Sequence, residues 1–185
     1  MAVHQAVLGR FFEDYVVGDV YQHPIGRTLS EADNTWITLL SMNTNQNHFN
    51  THLAEQNPIT EGRVIVNSGL TVAVILGLSV LDMSQNAISN LAFTDIKMSH
   101  PVYAGDTLYA ESICTGLRKS GSRPYAGIVS MITRGLNQDG VEVISWKRSV
   151  MVATRESGIG QNYFPQAVNG PLELPAEPEP KEAQA

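Results

Sequence analysis

From Val64 to Leu81 the chain carries no charged residue, and Glu61 and Asp82 flank the run. Asn67, Ser68, Thr71 and Ser79 interrupt it, which argues against a membrane span. The spacing predicts a helix over 66–81 instead. That helix is apolar on almost every side, so other elements must wrap it. Gly69, Ala73 and Gly77 recur every four residues along one face, where another backbone can approach closely.

The wrapping elements are expected downstream. Four runs of strand character, 88–99, 107–118, 125–137 and 141–155, are separated by turn signals. Asn137-Gln-Asp-Gly140 marks a hairpin between the last two. Ile144, Trp146, Arg148, Val150 and Val152 alternate with their neighbours, as one face of a strand does. Upstream, 20–29 reads as a first strand. Ser30 with Asp33 three positions later signals a helix start, and Trp36, Ile37, Leu39 and Leu40 continue at helical spacing for about three turns. A polar loop over 43–48 and a short helical turn over 51–56 complete the first half. Helices followed by a run of strands describe an α+β domain, in which a curved antiparallel sheet wraps the long central helix. Open sheet edges are commonly covered by a second copy, so a homodimer or a higher oligomer of dimers is expected.

With 43% hydrophobic and 16% charged residues, the 185-residue chain suits one globular domain. We expect an N-terminal arm over 1–9, the domain over 10–157, and a Pro/Glu-rich tail over 158–185, disordered from about 170. Five of the nine prolines lie in that tail, too apolar-poor a segment to offset its ordering entropy. The net charge is −6, and the body lacks the basic stripe that a phosphate backbone requires, so neither nucleic acid nor membrane is an expected partner. A lone cysteine, Cys114, and a start without an apolar signal core fit a reducing cytoplasm. Gly158-Ile-Gly160 is only a fragment of a dinucleotide fingerprint.

The loop Ser41-Met42-Asn43-Thr44-Asn45-Gln46-Asn47-His48-Phe49-Asn50 concentrates amides around one histidine, between two helices. The segments Phe12-Glu-Asp-Tyr-Val-Val-Gly-Asp19, Arg27-Thr-Leu-Ser-Glu-Ala-Asp33 and Gly62-Arg-Val-Ile-Val-Asn-Ser-Gly-Leu-Thr71 surround it. Further along lie Asn90-Leu-Ala-Phe-Thr-Asp95, Pro101-Val-Tyr-Ala-Gly-Asp-Thr-Leu108 and Gly135-Leu-Asn-Gln-Asp-Gly140. Together they resemble the MaoC-like acyl-CoA hydratase family over about 11–154. The resemblance implies a hot-dog fold and a hydratase motif, Gly-Asp-x-Asn-Pro-x-His, whose Asp and His form a catalytic dyad. Met42, Asn43, Asn45, Gln46 and His48 fall on its positions. Asn43 therefore stands in place of Asp, and Gln46 in place of Pro. Met42-Asn-Thr44 and Val66-Asn-Ser68 are similar to the mesaconyl-CoA and itaconyl-CoA hydratase branch, which implies a short, methyl-branched dicarboxylic enoyl-CoA as substrate.

On this reading His48 is the general base for water attack at the β-carbon, since imidazole exchanges protons near neutral pH. Asn43 orients that water and cannot itself supply a proton. Backbone N–H groups near Ser68 and Gly69, at the start of the central helix, are the expected donors to the thioester oxygen. Arg63 and Asn67 are candidates for a second carboxylate or a structural clasp. Arg118, Lys119 and Arg123 are candidates for the coenzyme A phosphates. No cofactor is expected beyond the coenzyme A of the substrate, and no metal, because His48 and His52 lack a third ligand at matching spacing. Two other functions use the same kind of fold: thioester hydrolysis, disfavoured by the absence of a carboxylate on the central helix, and non-catalytic acyl-CoA binding through a decayed dyad.

Overall fold

The computed structural model describes residues 9–160, 164–170 and 172. Most of the expected arm and tail, Tyr163 included, lies outside the described residues. Gly160 still packs against the domain, where an added Cβ would meet Asn86 Oδ1 at 2.6 Å.

The expected first strand is two short ones, β1 (Val20–Gln22) and β2 (Arg27–Thr28), both antiparallel to β4. Pro24 between them has no N–H to give a ladder, and Gly26 lies against the Tyr109 ring, with only 2.3 Å from an ideal Cβ to Cε1. The helices are α1 (Glu31–Leu40), α2 (Thr51–Glu55) and α3 (Ser68–Met83). The long strands are β3 (Ala87–Met98), β4 (Thr107–Lys119), β5 (Ala126–Leu136) and β6 (Glu142–Ala153), all within a few residues of expectation. Their order is β1-β4-β5-β6-β3, antiparallel throughout, with β2 beside β4. The β5–β6 hairpin turns at Gly140, φ +77°, and Asn137 Oδ1 accepts from the N–H of Val141.

The α3 helix lies against the sheet and buries Leu70, Thr71, Val74, Ile75, Ser79 and Met83. Two apolar clusters form beneath it. One, around Leu70, Ile75, Leu108, Ile144 and Trp146, underlies its first half; the other, around Met83, Cys114, Val129, Met131 and Val152, underlies its end. The wrapping is one-sided: Gly69, Ala73 and Gly77 are exposed, and a Cβ on Gly77 would meet nothing within 4 Å. The backbone expected against this stripe is not supplied by the described residues. Among these, no helix is long and apolar enough to cross a membrane.

The α1 helix departs from its sequence pattern. Trp36, Leu39 and Leu40 are exposed, only Ile37 of the apolar set packs on the core, and the buried residues are Asn34 and Thr38. Its N-terminus matches expectation. Ser30 Oγ accepts from the N–H of Asp33, and Asp33 Oδ2 accepts from the N–H of Ser30 at 2.9 Å. The Ser30 N–H, then its hydroxyl and Arg27, hold the Asp33 carboxyl below the ordinary carboxylate range. Replacing Ser30 with Ala should cost about 1 kcal/mol in urea unfolding. Asp33→Ala should also destabilise at neutral pH. Because the folded-state pKa is the lower one, that deficit should close as pH falls through it, where the wild type loses the same bond. A deficit that persists in acid would show that Asp33 acts through packing instead.

Candidate functional site

The polar loop leaves α1 through Met42 at φ +53°, a left-handed conformation that favours glycine. This is the position where the hydratase motif carries Gly; here an almost fully exposed Met tolerates the strain. Asn43 Oδ1 then accepts from the N–H of Asn45 at 2.9 Å, and Asn45 Oδ1 from that of Asn47 at 3.1 Å. These side-chain turns lead into a 3-10 turn over Gln46–His48. Gln46, standing where the motif has Pro, accepts through Oε1 from Asn50 Nδ2.

His48 is half-buried, and its Nδ1 lies 3.0 Å from the carbonyl oxygen of Ile65. A carbonyl can only accept, so Nδ1 carries a hydrogen, and in the neutral ring Nε2 keeps its lone pair. Between Asn43 and His48 there is no direct hydrogen bond among the described residues; the loop backbone holds the two together.

The buried amide of Asn34 ties this loop to α3. Its Nδ2 donates to the carbonyls of His48 (2.9 Å) and Ile65 (3.3 Å), and its Oδ1 accepts from the N–H of Asn67 (2.8 Å). Asn67 is buried as well; it donates to Thr38 Oγ1 and caps α3 by accepting from the N–H of Gly69 at 2.8 Å. Of the two expected oxyanion donors, Gly69 is therefore already engaged. The N–H of Ser68 has no partner among the described residues, and Ser68 is exposed. Sequence reasoning missed Asn34 and Thr38. Their signal was the i, i+4 spacing of two polar residues, hidden beside a louder apolar pattern.

Beside Ser68 opens a cleft of about 280 Å³, walled by Ile65, Thr71, Met98, Ser99, His100 and Val102, among others. His100 was also missed, although it precedes the recognisable Pro101–Leu108 segment. Its Nδ1 donates to the carbonyl of Glu142 at 3.0 Å, and its Nε2 has no partner among the described residues.

The remaining candidates lie elsewhere. Arg63 stacks over the Tyr103 ring, 3.6 Å from its centroid, and pairs with Glu61 at 3.1 Å, which makes it a clasp. His52 Nε2 accepts from Gln56 Nε2. Arg118 and Lys119 end β4, and Arg123 donates to Met151 Sδ. Their end of the sheet is where Lys119 meets Gly127 and Ala87 meets Val152. The cleft is at the opposite end, where Met98 meets Ile144, so the fold does not gather these basic residues around it.

Known proteins resemble this chain in both sequence and fold. The family model for mesaconyl-CoA hydratase matches residues 3–163. A mesaconyl-CoA hydratase of Cereibacter sphaeroides is 35% identical over 149 residues, which are 80% of this chain and 43% of that protein. A solved MaoC-domain protein of Chloroflexus aurantiacus is 31% identical with a TM-score of 0.75, covering 85% of this chain and 45% of that one. A Mycobacterium tuberculosis protein with a double hot-dog fold aligns at 22% identity and TM-score 0.70, over 88% of this chain and 48% of its own. The chain thus spans less than half the length of the curated relative. With its sheet, its central helix and its matched sequence in agreement, the chain is a hot-dog protein of the MaoC-like class and belongs to the mesaconyl-CoA hydratase family.

Proposed function

We propose that this chain adds water across the double bond of a short, methyl-branched dicarboxylic enoyl-CoA of the mesaconyl-CoA or itaconyl-CoA type, or runs the reverse dehydration. The observation that carries the reading is the fixed orientation of His48: its Nδ1 donates to the carbonyl of Ile65, a residue of the cleft that also holds Ser68 of the α3 N-terminus, and in the neutral ring Nε2 is left to take a proton. In the forward direction Nε2 takes a proton from water as the oxygen bonds to the β-carbon. Electrons of the double bond move toward the thioester, whose oxygen becomes negative and is stabilised by the N–H of Ser68 and the positive end of α3. The imidazolium then returns its proton to the α-carbon. Asn43, with its Oδ1 taken by the loop, has its Nδ2 hydrogens left to orient water. The carboxylate on α3, Asp82, lies at the end of the helix away from Ser68 and is bonded to His23, which favours hydration over hydrolysis.

The active form proposed is a pair of copies joined along β3. Among the described residues this strand has a neighbour on one side only, and Leu91, Ile96 and Met98 are 44%, 49% and 43% exposed. A twelve-residue open edge that exposes three large apolar side chains invites pairing, and the bare Gly69–Gly77 stripe of α3 is a second uncovered surface. Light scattering should give twice the 20.2 kDa chain mass, and Leu91→Lys with Ile96→Lys should shift it toward the monomer. A wild-type monomer would exclude the pairing.

Incubation with mesaconyl-CoA, itaconyl-CoA and crotonyl-CoA should show loss of the conjugated thioester without release of free thiol; free thiol would mean hydrolysis, and neither signal would mean binding alone. His48→Ala should lower the rate by about 10²–10⁴-fold with the fold intact. Wild-type turnover in that variant would remove His48 from the mechanism.

Asn43→Asp keeps the turn, because a carboxylate oxygen also accepts from the N–H of Asn45. Its second oxygen favours the protonated imidazole, so the lower limb of kcat/KM against pH should move to higher pH. An active variant with an unshifted limb would show that residue 43 does not act on His48.

A further inference from the structure

Arg148 has no role in the chemistry above, yet it occupies a core position on β6 and is only 3% exposed. No carboxylate lies within ion-pairing distance among the described residues. Its Nε and Nη2 both donate to Asn90 Oδ1, at 2.9 and 2.5 Å, while Nη1 is buried without a partner. The guanidinium lies 5.2 Å from the centroid of the Phe93 ring, and burial lowers its pKa from the ordinary value. Nearby Ser84 Oγ is also buried and unpartnered. Both side chains line a second cleft, of about 270 Å³, with an apolar wall of Leu76, Val80 and Ile88. A buried, uncompensated cation is costly, and an apolar side chain of similar length would serve the fold better. Asn90 occupies one edge of the guanidinium with a single oxygen. Nη1 and the second hydrogen of Nη2 remain as an end-on fork, the geometry that receives the two oxygens of one carboxylate.

Within one copy Leu76, Val80 and Ser84 of this cleft lie roughly 12–24 Å from Ser68 along the axis of α3, too far for one short acyl chain. Two-fold pairing along β3 changes that relation. With the two-fold axis perpendicular to the strands the paired edges run antiparallel, which brings the beginning of one β3, with Asn90 and its Arg148, toward the end of the other, with Met98 and the cleft beside Ser68.

We propose that Arg148, steadied by Asn90 and assisted by Ser84 Oγ, binds the free carboxylate of an acyl group whose thioester end lies at the His48 site of the second copy. This rests on both the dicarboxylate reading and the pairing proposed above. Arg148 is then the residue that separates dicarboxylic from simple enoyl-CoA substrates, and each site is complete only in the pair.

The test is the ratio of kcat/KM for mesaconyl-CoA to that for crotonyl-CoA. In Arg148→Met this ratio should fall by roughly 10²-fold, because a site built for a polar group loses its discrimination when that partner is removed. Arg148→Lys, with charge but no fork, should fall between. The melting temperature of Arg148→Met should not drop, which separates binding from a structural role. An unchanged ratio overturns the proposal, as does a parallel loss on both esters, which would assign the guanidinium to coenzyme A phosphate or to the fold. A wild type that hydrates crotonyl-CoA and ignores mesaconyl-CoA overturns the dicarboxylate reading itself. Shared sites are tested by mixing His48→Ala with Arg148→Met under subunit exchange. The mixture should regain mesaconyl-CoA hydration, because one site in each mixed pair combines an intact His48 with an intact Arg148. No recovery, with exchange verified by mass, would place both groups in one copy and overturn the shared site.

Discussion

A curved sheet can cover one side of an apolar helix, and here it covers one side of α3. The consequences spread through the molecule. The covered side is filled by two clusters at its two ends, with the buried polar residues Ser79, Ser112, Thr133 and Arg148 outside both clusters. The uncovered side is made of residues too small to expose much apolar surface, Gly69, Ala73 and Gly77, so a solvated α3 costs less than its hydropathy suggests. The same residues allow close approach if a second backbone arrives. The helix is thus compatible with a single unit and suited to a pair, as is the open edge of β3.

The N-terminus of α3 faces a second constraint. Its first N–H groups need acceptors, and the chain answers with buried amides instead of water. Asn67 caps the helix, Asn34 holds the backbone of Asn67, and the other end of the Asn34 amide holds the carbonyls of His48 and Ile65. One amide therefore sets helix, loop and histidine in a single frame. An ionisable side chain at position 34 would have to stay neutral while donating and accepting at once; an amide does both without a proton to lose. This explains why α1 turns Asn34 and Thr38 inward and leaves Trp36, Leu39 and Leu40 outside.

That inversion also marks the limit of sequence reading. The β4, β5 and β6 strands were legible because their alternation and the Asn137–Gly140 turn report a local preference that packing reinforces. The α3 helix and the Ser30 cap were legible for the same reason, and His48 stood out through its motif. The inward face of α1 was not legible, because hydrophobic periodicity assumes that apolar residues fill the interior. Here the interior near the site is where backbone groups need partners, and polar side chains won. The break between β1 and β2 was missed because Pro24 acts on a ladder visible only once β4 is its partner. The placing of Arg118, Lys119 and Arg123 away from the cleft follows from register, which composition does not encode.

Side-chain identity alone would also misassign the chemistry. Beneath the sheet, Asp82 Oδ2 lies 3.0 Å from His23 Nδ1, His23 Nε2 lies 3.0 Å from Ser112 Oγ, and Ser112 Oγ lies 2.8 Å from Thr133 Oγ1. Acid, imidazole and hydroxyl stand in the order of a hydrolase triad. The hydroxyl is 1% exposed and the imidazole 5%. A nucleophile must reach its carbonyl, and a serine sealed between β1, β5 and α3 cannot. The chain of hydrogen bonds instead satisfies polar atoms that would otherwise be buried alone, and joins the end of α3 to β4 and β5. Among the described residues His48 has no carboxylate and no nucleophilic hydroxyl bonded to it, but it is only half-buried, and its ring is held by Ile65, a residue of the cleft beside Ser68. Access therefore decides between the two histidines, and it selects the one equipped to activate water over the one arranged like a nucleophile's partner.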